Sequence, residues 1–190
     1  APAKTIFTTN SSTMLPSTFA EFTGRPEMFL ALHFANHIWD NNVGEIMMHE
    51  GTDKKYFDII KKFAIEIGMV PIPINKEQPG YVLNTLLVPL LESAQTLYFN
   101  GVSDHETIDK TWMISTGSAM GPCGIIDMVG MQTLYNVGLM RGKATGNEQL
   151  IKNATRLKEE FIDKGKMGEN TLEGFYKYPN PSYLDPNFLK

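Results

Sequence analysis

The residues best suited to chemistry in this sequence are a histidine and a carboxylate on neighbouring apolar runs. His33 closes the run MFLALHF (28–34) and Glu45 stands near the start of VGEIMMHE (43–50), so two strands joined by a connection would set them face to face. An imidazole titrates near neutral pH, and a carboxylate on its far nitrogen fixes the tautomer and stabilises the imidazolium once a proton is taken. The pair reads as a general base and its orienter, against the alternative of a satisfied core histidine. Ser12 lies in the polar turn Asn10-Ser11-Ser12-Thr13, at the end of a short β-branched and aromatic run. Strand ends of this kind hold ligand contacts in open α/β sheets, although Ser12 or Thr13 could equally cap a following helix. Asn84 is an amide among leucines, so it either braces a neighbouring backbone or points into the site of His33.

The elements that must position these residues alternate at first. KTIFTT (4–9) reads as a strand, Pro16 to Phe22 as a short helix broken by Gly24-Arg25-Pro26, and Met28 to Phe34 and 43–49 as strands. Thr52-Asp53 starts a helix in which Tyr56, Ile59, Ile60, Phe63, Ala64 and Ile67 recur at helical spacing, and Met69 to Ile74 is a further strand. From Gly80 onward the pattern is helical. YVLNTLLVPLLESAQTLYFN is apolar nearly all round, which predicts a central buried helix with Pro89 inside it. A capping-box spacing at Ser103 to Glu106 begins the next helix, Ile125 to Met140 reads as another, and Glu148 to Lys164 as an amphipathic one closed by Gly165. The tail GFYKYPNPSYLDPNF should wrap the surface without regular structure. The expected fold class is thus an α/β fragment followed by an all-α domain, divided as residues 1–77 and 78–190.

Composition narrows the function classes. The chain is 42% hydrophobic and 20% charged with a net charge of -4, and its Lys and Arg residues are scattered, so no nucleic-acid partner is expected. The lone Cys123 suits a reducing cytoplasm and reads as a packed helix residue, and no run is long enough to span a membrane. His37 lacks a partner at ligand spacing, His49 and His105 read as structural or solvent-facing, and no metal site is expected. The start APAKTIFTTN has no initiator Met and enters a strand almost at once, which predicts a piece of a longer polypeptide. No G-x-G-x-x-G follows a strand, so a dinucleotide's pyrophosphate loop would lie upstream.

The segments TTNSST (8–13), LHFANHIWDNNVGE (32–45), QPGYVLNTLLVPLLESA (78–94), MGPCGIIDMVG (120–130) and EGFYKY (173–178) resemble the 3-hydroxyacyl-CoA dehydrogenase family, close to its bacterial 3-hydroxybutyryl-CoA dehydrogenases. The resemblance covers the last strands of a Rossmann-type nucleotide-binding domain plus the helical C-terminal domain, which in that family forms a homodimer interface. It implies His33 as catalytic acid/base with Glu45 as its partner, Ser12 and Asn84 as substrate-binding residues, and Asn10, Ser12 and Asn36 on the nicotinamide side of an NAD or NADP site. It also implies a short-chain acyl-CoA substrate and a dimer made mainly through helices 80–101 and 123–140. This chain departs from the family at Ala35 and His37, where phenylalanine and proline are common, so the loop into Glu45 should be shaped differently. It departs again at Asn170, where a lysine often touches the cofactor. Two other readings stand beside the enzyme. One is a non-catalytic helical dimerisation module lacking the cofactor loop. The other is a dehydrogenase of sugar acids or 2-hydroxy acids, a class that relies on lysine where this chain has His33.

Overall fold

The computed structural model describes residues 1–190 and divides into two compact units, residues 1–87 and 88–190. The first is built on a four-stranded sheet of β1 (Phe7–Thr9), β2 (Phe29–Phe34), β3 (Val43–Met47) and β4 (Val70–Ile74), in that spatial order. β1 and β2 run parallel, β2 and β3 antiparallel, and β3 and β4 parallel. Alternation along the strands separates two cores. Leu30, Leu32 and Ile46 pack with Ile60 and Ala64 of helix α1 (Lys54–Glu66), whereas Ala31 and Met47 pack with Ile74 and Tyr81. His33 and Glu45, two residues along from Ala31 and Met47, share the second face. The register sets His33 directly opposite Glu45, as the two apolar runs predict.

Local signals account for most of these elements. Asp53 caps α1 by accepting from the Lys55 N–H, and the chain turns at Gly68 with a φ of 85°. The expected helix over 16–22 is instead two 3-10 turns, Pro16–Thr18 and Ala20–Thr23, because so short a segment cannot offset the cost of nucleating an α-helix. Neither Ser12 nor Thr13 caps it. Ser11 Oγ accepts from the Met14 N–H at 3.1 Å, and the residue before the first turn is Leu15, which makes no side-chain cap.

Helix α2 (Leu83–Phe99) starts within the first unit and ends in the second, with Pro89 in its interior. It buries Leu91, Ala94, Gln95 and Phe99 but leaves Leu86 71% and Leu97 42% exposed, so it is not covered on all sides as its composition suggests. In the second unit α3 (His105–Thr116) is capped by Asp104, which accepts from the Thr107 N–H. The capping-box reading put that role on Ser103. Glu106 accepts from the Ser182 hydroxyl instead of closing a box. The expected helix over 125–140 is two helices, α4 (Pro122–Val129) and α5 (Met131–Thr145). Gly130 takes a φ of 91° between them, and the Met131 N–H donates to the Met167 carbonyl. The amphipathic α6 (Glu148–Glu160) is followed by a 3-10 turn, Ile162–Lys164, and ends at left-handed Gly165.

The tail corrects the surface-wrap expectation. Phe175, Tyr176, Tyr183 and Phe188 are buried, and a 3-10 turn forms at Ser182–Leu184. Two buried aspartates organise it. Asp127 accepts from the N–H groups of Phe175 and Tyr176 at 2.8 and 2.9 Å and from the Tyr178 hydroxyl at 3.1 Å. Asp109 accepts from the N–H groups of Cys123 and Gly124 at the start of α4, and from the Tyr176 hydroxyl. Burial outweighs these donors for Asp127 and pushes its carboxyl up to about 6. Removing it strands the donors. Asp127→Ala is expected to lower stability by about 3 kcal/mol, read from urea unfolding followed by tyrosine fluorescence.

Candidate active site

His33 and Glu45 are 5% and 1% exposed, and His33 Nδ1 lies 2.8 Å from Glu45 Oε2. The other carboxylate oxygen, Oε1, accepts from the backbone N–H groups of Val82 and Leu83, both at 2.9 Å. Leu83 opens α2 and Val82 directly precedes it, at a helix start where N–H groups have no partner within the helix. Burial drives the Glu45 carboxyl up. The bonds from His33, Leu83 and Val82, with the charge an imidazolium places beside it, overcome that and hold it below the usual glutamate range. An ionised carboxylate only accepts, so His33 Nδ1 carries a proton, and in the neutral imidazole Nε2 presents its lone pair.

The other residues read from the sequence fall around this pair through hydrogen bonds. Asn10, just past β1, accepts on Oδ1 from the N–H of Phe34, the residue after His33. Asn84, in α2's first turn, donates from Nδ2 to the Ser12 carbonyl at 3.0 Å, so it braces the turn that carries the exposed Ser12 hydroxyl. A second amide hydrogen and Oδ1 of Asn84 are left over. Asn36 is joined to none of these. It is exposed on the loop after β2, where its carbonyl accepts from Asn41 Nδ2 at 3.2 Å. His37 has a φ of 55°, an angle closed to proline, and stacks on Trp39 with ring centroids 5.2 Å apart. His49 is structural, with Nε2 at 3.0 Å from the Pro26 carbonyl. Cys123 is buried, and burial with the neighbouring Asp109 raises its thiol far above the reactive range. No group of histidine, cysteine and acidic side chains is arranged to hold a metal.

Three participants escaped the sequence reading: the Val82 and Leu83 N–H groups and Tyr81. A backbone donor has no residue signature. The only available signal was the turn dipeptide Pro79-Gly80 just ahead of the helix.

The comparisons with known proteins point to one family. The profile for the C-terminal domain of 3-hydroxyacyl-CoA dehydrogenase matches residues 80–178, and the profile for that enzyme's NAD binding domain matches residues 1–78. The chain belongs to the 3-hydroxyacyl-CoA dehydrogenase family. Within it, the human mitochondrial hydroxyacyl-coenzyme A dehydrogenase is 32% identical over 94% of this chain, and the Clostridioides difficile 3-hydroxybutyryl-CoA dehydrogenase is 28% identical over 92%. The chain spans 56% and 61% of those relatives' own lengths. A solved diketoreductase that acts on dicarbonyl compounds is 53% identical, with a TM-score of 0.84 over 94% of this chain and 61% of its own. The fold is accordingly part of a Rossmann-like NAD-binding domain followed by the helical C-terminal domain of the 3-hydroxyacyl-CoA dehydrogenases.

A carboxyl held low in the folded state stabilises the fold above its unfolded titration and loses that effect as the pH falls through its folded value. The stability difference between the native chain and Glu45→Gln should therefore be largest near pH 7 and shrink below pH ~4, as measured by urea midpoints at each pH.

Proposed function

We propose that the protein from which this chain comes is an NAD- or NADP-dependent 3-hydroxyacyl-CoA dehydrogenase acting on short-chain substrates, with His33 as its acid/base. The observation that carries this reading is the buried pair, in which Glu45 engages Nδ1 and leaves Nε2 of His33 for a substrate hydroxyl. In the oxidative direction His33 Nε2 takes the proton of the 3-hydroxyl, and Glu45 stabilises the imidazolium that results. In reverse, the imidazolium returns the proton to the oxygen of the reduced carbonyl. The Ser12 hydroxyl and the remaining amide hydrogen of Asn84 would stabilise that oxygen as charge develops.

A nicotinamide, when bound, supplies hydride acceptance and donation at the 3-carbon. The residues present fit its carboxamide end, since Asn10, Ser12 and Asn36 offer exposed amide and hydroxyl groups beyond the ends of the parallel strands β1 and β2. They do not fit its pyrophosphate, for which the sequence has no glycine-rich loop. The functional division is proposed at residues 77 and 78, supported by family profiles that end at 78 and begin at 80. The buried single thiol supports a cytoplasmic setting, and no helix is long and apolar enough to cross a membrane.

The 53% identity to the diketoreductase favours a second reading, in which the same proton transfer serves a free dicarbonyl compound. A 3-oxoacyl thioester is itself a 1,3-dicarbonyl, so the two readings differ in the CoA portion and not in the chemistry at the reduced carbon. Oxidation of NADH and NADPH by acetoacetyl-CoA and by pentane-2,4-dione, on the longest obtainable parent polypeptide, separates them. His33→Gln is expected to lower kcat by about 10²- to 10⁴-fold on whichever substrate is turned over. An active variant would make the pair structural, and an inactive parent would favour the dimerisation module.

Homodimerisation through the helical domain, mainly by helices 80–101 and 123–140, is proposed with it. The exposed Leu86 and Leu97 of α2 and Met140 of α5 support it. Light scattering across a hundredfold range of concentration should give twice the chain mass, and a monomer throughout would overturn it.

A further inference from the structure

Beyond the residues already assigned, Tyr81 holds an unusual position in the first unit. Its side chain is 0% exposed, and its ring centroid lies 4.9 Å from that of His33 with the planes 35° apart. Its backbone has a φ of 56°, directly after Gly80 at 81°. Bulky residues rarely tolerate this left-handed conformation, and it persists only where the surroundings enforce it. Here they do. The Tyr81 N–H donates to the Gln78 carbonyl at 3.0 Å, the Thr85 hydroxyl donates to the Tyr81 carbonyl, and the ring packs with Ala31, Met47 and Ile74. The next two N–H groups are those that hold Glu45.

Resting on the dehydrogenase reading of the pair, we propose that Tyr81 is its positioning residue. The ring fixes the plane of the His33 imidazole, and the left-handed turn aims the Val82 and Leu83 N–H groups at Glu45. One hydrogen bond at Nδ1 leaves the imidazole free to tilt about that bond, and a ring packed against it removes this freedom. The backbone alone would favour glycine at 81, because glycine adopts this φ without strain. An aromatic residue in its place points to a demand from the side chain. The phenol's oxygen is not that demand. It is buried without a hydrogen-bond partner, and burial together with the charges of Glu45 and Glu77 raises its titration to about 12, so it stays neutral near pH 7.

The test separates ring, hydroxyl and backbone. Tyr81→Phe keeps the ring and should leave kcat within about twofold. Tyr81→Gly keeps the turn but removes the ring, and is expected to lower kcat 10- to 100-fold with KM changed less than threefold and the kcat–pH profile displaced. Should the glycine variant melt below the assay temperature, Tyr81→Met refills the volume without a flat ring and carries the same expectation. Nitrogen NMR of the His33 imidazole in the 190-residue chain provides a readout independent of turnover. The native chain and Tyr81→Phe should show one Nδ1–H tautomer, and the glycine or methionine variant averaged or broadened ring signals. Unchanged imidazole signals and a kcat within twofold in those variants would overturn the proposal. Failure of the dehydrogenase reading would look different: an inactive parent, or activity that survives His33→Gln, whatever the Tyr81 variants do to the imidazole signals.

Discussion

The burial of the Glu45 carboxylate is the constraint on which the first unit depends. Removing a carboxylate from water costs several kcal/mol unless its oxygens are fully bonded. Glu45, at 1% exposure, meets three donors: His33 Nδ1 from the adjacent strand and two N–H groups from the start of α2. The second pair lies 37 and 38 residues further along the chain. The segment around residue 80 must therefore return to β3, which is why the compact unit runs through Leu87 instead of stopping at the end of β4. The same return puts Asn84 beside the Ser12 turn and Tyr81 under the imidazole. A single buried charge thus ties strand, turn and helix start into one site.

The second unit uses buried carboxylates differently. Asp109 and Asp127 also collect backbone donors, and Tyr176 joins them by giving its N–H to Asp127 and its hydroxyl to Asp109. Space around them is tight enough that a side chain at Gly121 would run into Asp109, and one at Gly174 into Asp127. Yet burial wins for both aspartates, whose carboxyls are raised, whereas Glu45 is held low. The aspartates are the more deeply desolvated, and the charge of Asp109 raises Asp127 further, whereas at Glu45 the bonds from His33, Leu83 and Val82 outweigh the cost of burial. The aspartates fix where the tail lies, and the glutamate is kept ionised beside a group that can accept a proton.

Some of this organisation was legible in residue order. The apolar runs around His33 and Glu45 predict two buried strands and set the residues opposite, and the helical repeat from Tyr56 to Ile67 with Asp53 before it predicts α1. The one-helix reading of 125–140 failed at Gly130, because isolated glycines are often tolerated within helices and only the Met131 to Met167 bond decides that this one breaks. The tail looked like surface because proline and asparagine dominate its spacing. Its aromatics are buried because Asp127 binds the backbone between them.

By itself, then, the sequence determined which side chains could carry a proton, which runs were apolar enough to be buried strands, and which family the motifs resemble, because side-chain type and periodicity are local properties. Only the tertiary structure decided what Glu45 and Asp127 are bonded to, that Tyr81 is held left-handed beneath His33, and that Ser11 instead of Ser12 braces its turn. Backbone N–H groups are the same at every non-proline residue, so which of them a buried carboxylate will find is set by chain return, and no residue pattern records it.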